Sequence, residues 1–588
     1  MSMLGKHFRY PAIIAAMACS ILALAKPKDK ESTSEVKFTS RTELVLIPVL
    51  VTDKSGAHVS GLKREDFTVL EDGAERKIAT FEETTSDARR LSRPQNPNEF
   101  SNTFMGGVSM GRITLLMLDF INTSFADQEE ARRELLKYLS QSVDQREPTA
   151  LYTLNRSGVH VIHDFTTDPR ILAAALHKVN TETLHVVDAE ADVEFMAGTA
   201  SPDGIAGVSP GAVLSEVEKI RIMLEDTELN IQSFQQKLAI TYTLEAMQQI
   251  AQALAGVPGR KSLIWASGGF PFSVTDPSTL IVPAGSLSSP SRSTRSDVLL
   301  RSGPVGRANL IDVLGMYEHT WQLLNAAQIA LYPVDVKGLR AVSLPSAAVG
   351  NPGRNYARNM EQTQADTQAT FQTFAYMTGG RAYFNSNDLV KGFRDAVSDS
   401  AEYYMLGYYL NRANTKSGWR KLAVKVKRPH VDVRSRSGFF VTKTTIDPDA
   451  GRDNDLVLAL QSPLDYTSLP VVARWGKIGP SKEPGKKHIN YGMHLAADAS
   501  LVNKADNNHL ALELLALAKT PEGKQAGQPV NKKVDAHLNP ESVVANREEG
   551  IDLTGGMDLA PGEYTVRFVV RDDLSGRIGS VSAPLKVE

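Results

Sequence analysis

Asp119, Asn122, Thr123 and Ser124 crowd the end of a short apolar run, Ile113 to Leu118. All four carry side-chain oxygen and one is a carboxylate, a ligand chemistry that suits a hard divalent cation, Mg2+ or Ca2+. The same residues can instead serve the chain itself. Asp and Asn side chains bond nearby backbone groups, and a Ser caps the helix that follows. Two further polar residues end apolar runs of the same kind, Ser267 after 261–266 and Asp335 after 329–334. If these runs are parallel strands of an open sheet, their carboxyl ends meet on one edge, where such sheets bind ligands. The expected metal set is therefore Asp119, Asn122, Thr123 and Ser124. The expected binding surface is Asp119, Asn122, Ser267 and Asp335.

Other chemistries find little support. Ser267 is followed by Gly268-Gly269, but the Gly-x-Ser-x-Gly elbow is absent. The chain has no His-Glu-x-x-His, no phosphate loop and no dinucleotide fingerprint. His160 and His163 fall on one expected strand and face opposite sides, so they cannot chelate together. With 65 basic and 67 acidic residues the formal net charge is -2, which argues against a nucleic-acid footprint. The one cysteine, Cys19, lies in the leading segment, so no disulfide or Cys-ligated metal is expected beyond it.

The elements that must position these residues follow from periodicity and turn chemistry. A chain of 588 residues is too long for one core. Residues 1–25 read as a signal peptide: Lys6, His7 and Arg9 precede an apolar stretch, Ala12 to Leu24, and Ala23-Leu24-Ala25 offers a cleavage site. The mature chain then begins near Lys26, is exported to the periplasm or beyond, and has no transmembrane segment. Residues 26–40 form a linker, 41–84 a small β module and 85–110 a second linker. Residues 111–441 alternate strands and helices, with insertions at 180–235 and 273–305. Helices are expected from about Phe125 to Val143, over 236–255, 308–327 and 358–377, and from Leu389 to Ser400, with Arg381 to Phe384 as a last strand. Strand–helix alternation predicts an α/β fold with a doubly wound, mostly parallel sheet. The tail, 450–588, reads as a β-sandwich, with strands at 456–460, 510–518, 562–571 and 578–587. Tyr403, Tyr404, Tyr408 and Tyr409 belong to one strand that sends rings into a core.

Several stretches resemble, in order, a von Willebrand factor type A (vWA)-related domain family described from acidobacteria. They are Val49-Leu50-Val51-Thr52-Asp53, Gly61-Leu62, Asp66-Phe67, Glu71-Asp72-Gly73, Leu118-Asp119-Phe120-Ile121-Asn122-Thr123, Pro258-Gly259-Arg260-Lys261-Ser262-Leu263, Tyr332-Pro333-Val334-Asp335, Thr378-Gly379-Gly380-Arg381 and Tyr403-Tyr404-Met405-Leu406-Gly407-Tyr408. The resemblance covers 41–441 and implies a vWA-like, Rossmann-like sheet with a cation site of the pattern Asp-x-Ser-x-Ser. Asp119 matches its first position, Ile121 stands where the first Ser belongs and Thr123 replaces the second. Asn122 and Ser124 can substitute with a one-residue shift. A loop Thr, from among Thr199, Thr241 and Thr243, would join them, and the later Asp is replaced by Ser267-Gly268-Gly269. The site is thus a degenerate metal-ion-dependent adhesion-type site. The implied function is non-enzymatic binding of a protein or cell-envelope partner. The alternative is an exported hydrolase using the same edge.

Overall fold

The computed structural model describes residues 42–84, 98–103, 113–141, 148–179, 235–270 apart from 236, 304–338, 354–399, 402–441 apart from 412–414 and 417, and 452–588 apart from 497–500 and 503–505. The expected signal segment, the 26–40 linker, Cys19, Thr199 and nearly all of both insertions lie outside these residues. Contacts divide the chain after Ser40, and every described residue belongs to Arg41–Glu588.

In chain order the strands are β1 (Thr42–Thr52), β2 (Phe67–Glu71), β3 (Ala74–Arg76), β4 (Thr80–Thr84) and the short β5 (Glu99–Ser101). The central strands follow: β6 (Ile113–Asp119), β7 (Thr149–Asn155), β8 (Gly158–Thr166), β9 (Lys261–Ser267) and β10 (Ile329–Asp335). Then come β11 (Tyr403–Asn411), β12 (Gly418–Val426), β13 (Asp432–Arg434) and β14 (Gly438–Val441). The tail holds β15 (Val471–Pro480), β16 (Lys487–Leu495), β17 (His509–Lys519), β18 (Gln525–His537), β19 (Ile551–Leu559), β20 (Gly562–Asp572) and β21 (Ile578–Val587). The helices used below are α1 (Phe125–Gln141), α2 (Pro169–Leu176), α3 (237–254), α4 (Pro304–Ala326), α5 (Arg354–Thr378), α6 (Leu389–Ser398), α7 (Arg452–Gln461) and α8 (Pro540–Glu549).

The expected fold class needs correction. Strand outweighs helix, 45% against 28%. Among the described residues, four of the five sheets are wholly antiparallel, in the orders β13-β1-β11-β4, β14-β12-β2-β3, β19-β16-β15-β5 and β18-β17-β20-β21. The molecule is therefore mostly antiparallel β, and a doubly wound parallel α/β sheet does not describe it. The expectation extended to the whole chain a pattern that belongs to one sheet, β10-β9-β6-β7-β8. There β10, β9, β6 and β7 are parallel and β8 closes an edge antiparallel.

In that sheet β6, β9 and β10 are buried at every position, so both faces are covered and the sequence shows unbroken apolar runs rather than alternation. Alternate residues feed two cores. Leu115, Met117, Leu263, Trp265 and Leu331 face Trp321, Phe371 and Phe374 of α4 and α5. Leu116, Leu118, Ile264, Ala330 and Tyr332 face Leu135 of α1, Leu172 of α2 and Phe393 of α6.

The domain limits also shift. Residues 41–84 do not close on themselves. β1 pairs with β11 from Thr42↔Asn411 to Val49↔Tyr404, and β2 pairs with β12 from Phe67↔Val426 to Glu71↔Leu422. Strands far apart in the chain thus share one core, with Ile47, Val49, Val69, Tyr404 and Leu406 inside it. Part of the expected 85–110 linker is β5, which pairs with β15 of the tail. Residues 456–460 are helical, in α7, because Leu456 and Ala459 share one helical face and both are buried while Val457 is exposed. The expected strand at 381–384 is reduced to one bridge, Val334↔Tyr383.

The amino edge of the central sheet is where the flanking strands attach. Helix C-termini gather there, and their unsatisfied carbonyls accept from cations or hydroxyls. Lys261 Nζ donates to Ala327 O at 2.6 Å, just past α4. The Arg260 guanidinium donates to Gly379 O at 2.6 Å, just past α5. Arg436 donates to Asn325 O and to Leu46 O of β1. The end of α3 is closed by the tail: Thr467 Oγ1 donates to Ala253 O at 2.9 Å and accepts from Gly256 N at 2.8 Å. A Cβ on Gly256 would stand 1.9 Å from Thr467 O, so only glycine permits this approach.

Candidate functional site

The loop after β6 is organised by Asp119. Its Oδ1 accepts from Ile121 N and Asn122 N, both at 3.0 Å. Its Oδ2 accepts from Asn122 Nδ2 at 2.7 Å, Ser267 Oγ at 2.9 Å and Trp265 Nε1 at 3.0 Å. Burial pushes the carboxyl of Asp119 up, and the donors from Asn122, Ser267 and Trp265 pull it back down. Burial prevails, so the carboxyl's proton affinity stays above the ordinary range, while the two backbone N–H groups, Asn122 Nδ2 and Trp265 Nε1 are fixed donors that hold its oxygens in place.

The neighbouring residues extend this network inward. Asn122 Nδ2 also donates to Thr243 Oγ1 at 3.0 Å, which ties the loop to α3. Thr123 Oγ1 accepts from Gly268 N at 2.9 Å. A Cβ on Gly268 would stand 2.9 Å from Asn122 O, so the two loops meet only because that residue is glycine. Ser124 Oγ donates to Asp127 Oδ2 at 2.6 Å and accepts from Asp127 N at 3.2 Å, capping α1. Gln128 Nε2 donates to the carbonyls of Phe120 and Thr123. Asp335 stands beside Ser267 in the β10–β9 register and caps its own turn, accepting from Lys337 N at 3.0 Å.

All the expected site residues are thus on one edge, and all are buried. Asn122 and Ser267 are 0% exposed and Asp119 1%. Among the groups that reach solvent beside them are Phe125, 41% exposed at the first turn of α1, Ala126, and the partly exposed Lys337 next to Gly268. Of the candidate threonines, Thr243 joins the network. Trp265 and Gln128 were missed. The signal for Trp265 was its place two residues before Ser267, on the same face of the strand.

A divalent cation does not fit these residues. It would need lone pairs that Asp119 already gives to five donors. Thr123 and Ser124 point their oxygens at Gly268 N and Asp127. Asn122 Oδ1 is buried and has no partner, but a single neutral oxygen is a poor seat for a hard cation. Among the described residues no cluster of three or more His, Cys, Asp or Glu side chains is placed to ligate a metal.

Nor is Ser267 arranged as a nucleophile. Its hydroxyl has one proton and two acceptors in reach, Asp119 Oδ2 and Gly269 O at 2.7 Å, and no histidine bonds it. Among the described residues a Ser–His contact is made in the β7–β8 turn, where His160 Nε2 lies 2.9 Å from both Ser157 Oγ and Asn155 Oδ1. That pair is part of a turn closed by Asn155 Oδ1, which accepts from Ser157 N and Oγ.

No family model matches this chain, and no curated protein matches it. Among solved structures it is similar to three N-terminal domains of the type V pili tip protein Mfa5 from Porphyromonas gingivalis. Identity is 8%, the match covers 79% of this chain and 87% of that one, and the TM-score is 0.24. Among the described residues no helix is long and apolar enough to cross a membrane.

Proposed function

We propose that this is an exported, non-enzymatic binding protein that meets its partner at the carboxyl edge of the β10-β9-β6-β7-β8 sheet without a metal ion. The observation that carries the reading is an asymmetry. The flanking strands and the tail bond to the amino edge, through Arg436 and Thr467. The Asp119 network at the carboxyl edge is made within 119–128, 243 and 265–269. Buried polar residues fix the loops there, and Phe125 offers an exposed aromatic ring of the kind that anchors interfaces. The ordered motifs of the vWA-related family support binding by analogy. The basic start and Ala23-Leu24-Ala25 support export.

Two measurements test this. Millimolar Mg2+ or Ca2+ is expected to leave the melting temperature unchanged, since a ligand raises it only by binding the folded state. A rise of several degrees would overturn metal independence. Phe125→Asp is expected to abolish capture of the envelope partner at an unchanged melting temperature, and unchanged capture would remove the proposed surface. Turnover of ester, peptide or glycan substrates that is lost in Ser267→Ala would instead establish the hydrolase.

A further inference from the structure

The two sheets of the tail share one core, a β-sandwich, and its β17–β18 sheet holds a histidine with a carboxylate on each side. His509, at the start of β17, places Nδ1 3.1 Å from Asp506 Oδ2 and Nε2 2.8 Å from Asp535 Oδ1 of β18. Its ring lies 4.8 Å from the ring of His537, its cross-strand neighbour. A neutral imidazole has one N–H and can donate to one carboxylate, whereas the imidazolium donates to both. The geometry is therefore that of the charged ring.

This corner holds a constrained piece of backbone. Asn507 and Asn508 have φ of 48° and 58°, left-handed values that cost energy for residues other than glycine. Asn508 O accepts from Leu538 N at 3.0 Å, Asn508 Nδ2 donates to Leu538 O at 3.3 Å, and the His537 ring meets Asn507 O. Leu538 leads into Asn539, whose Oδ1 caps α8 by accepting from Ser542 N at 2.7 Å. α8 buries none of its residues fully: Val543 packs against the core of the tail, half-buried, and Val544 is more than half exposed, so the caps at its ends matter to how it is held.

We infer that His509 is a proton-operated latch. Charged, it joins Asp506 to Asp535 and holds the entry of α8 against the sandwich. Neutral, it lets go of one carboxylate and loosens that corner. The groups facing it are Asp506, Asp535 and His537. The hydrogen bond the ring donates to Asp535, opposed by partial burial and supported by the one it donates to Asp506, raises its proton affinity above the ordinary histidine range. A raised folded value gives stabilisation that is complete below the unfolded value and lost as pH rises through the folded one. The latch is shut in mild acid and opens on the alkaline side.

Hydrogen exchange of the full chain between about pH 5.5 and 8.5 tests this, with rates corrected for intrinsic chemistry. Protection at 506–510 and 538–542 is expected to fall about two- to fivefold as pH rises, the range an exposed ion pair supports. His509→Gln is expected to give low protection at every pH. Asp535→Asn should move the histidine's titration midpoint, followed by NMR, downward. A wild-type midpoint at or below the ordinary value, or a step that survives in His509→Gln, would overturn the latch.

Discussion

Asp119→Ala would strand three buried donors, Ile121 N, Asn122 N and Trp265 Nε1, while Asn122 Nδ2 keeps Thr243 Oγ1 and Ser267 Oγ keeps Gly269 O. An unsatisfied buried donor costs about 1–3 kcal/mol, so the variant is expected to lose about 3 kcal/mol or more in chemical denaturation. A loss below about 1 kcal/mol would show that the network is not what holds the loop. Lys261 makes a second residue-scale prediction. It is buried, bonds only a helix-end carbonyl, and burial holds its ammonium down to about 7. The unfolded lysine keeps its proton to about pH 10.4, so the unfolded state binds more protons between those values and stability rises with pH. The full cost of burying the charge is present below about pH 7. Lys261→Met removes this dependence, by up to about 1.4 kcal/mol per pH unit. Paired denaturation curves at pH 6, 8 and 10 should show the difference between the two proteins moving steadily in favour of wild type. A constant difference would mean that Lys261 does not titrate in this window.

β5 is short, yet it adds an edge strand from early in the chain to the tail's sheet. Beside it Asn102, fully buried, donates to Tyr466 O and Leu469 O and accepts from Val471 N at 2.8 Å. Asn102→Ala is expected to cost about 2–3 kcal/mol and to raise hydrogen exchange first in β15; exchange that is unchanged there would refute the strap. Nothing in the sequence around Glu99–Ser101 announced this role, because a three-residue strand has too few positions to show a period. By contrast β6, β9 and β10 were legible almost to the residue, since unbroken apolar runs ending on a polar residue leave few alternatives. α7 was misread because Leu456 to Leu460 is short enough to suit strand or helix, and packing decided it. The edge shared by Asp119, Ser267 and Asp335 could be inferred from strand ends alone. That these side chains turn inward could not, because their partners Trp265, Thr243 and Gln128 come from other elements.

At the scale of the whole molecule, the core beside α3, α4 and α5 runs on into the tail through Leu456, Leu464, Tyr466, Val569 and Ile578. Ending the chain at residue 450 is expected to expose that apolar face and yield an aggregating product by light scattering; a monomeric, cooperatively melting fragment would contradict this continuity. The fold class was misjudged at this scale, because pairing across most of the chain leaves no local signature. β1 and β11 are the extreme case. β1 is an eleven-residue strand with most positions buried, and its partner begins at Tyr403. Ribosomes add about 5–20 residues per second, so each new chain carries β1 for tens of seconds before β11 exists. During that interval the strand is an open, apolar edge in a crowded cell. The protein is therefore expected to need an escort while it is made, and soluble yield that is the same with and without holding chaperones would contradict this.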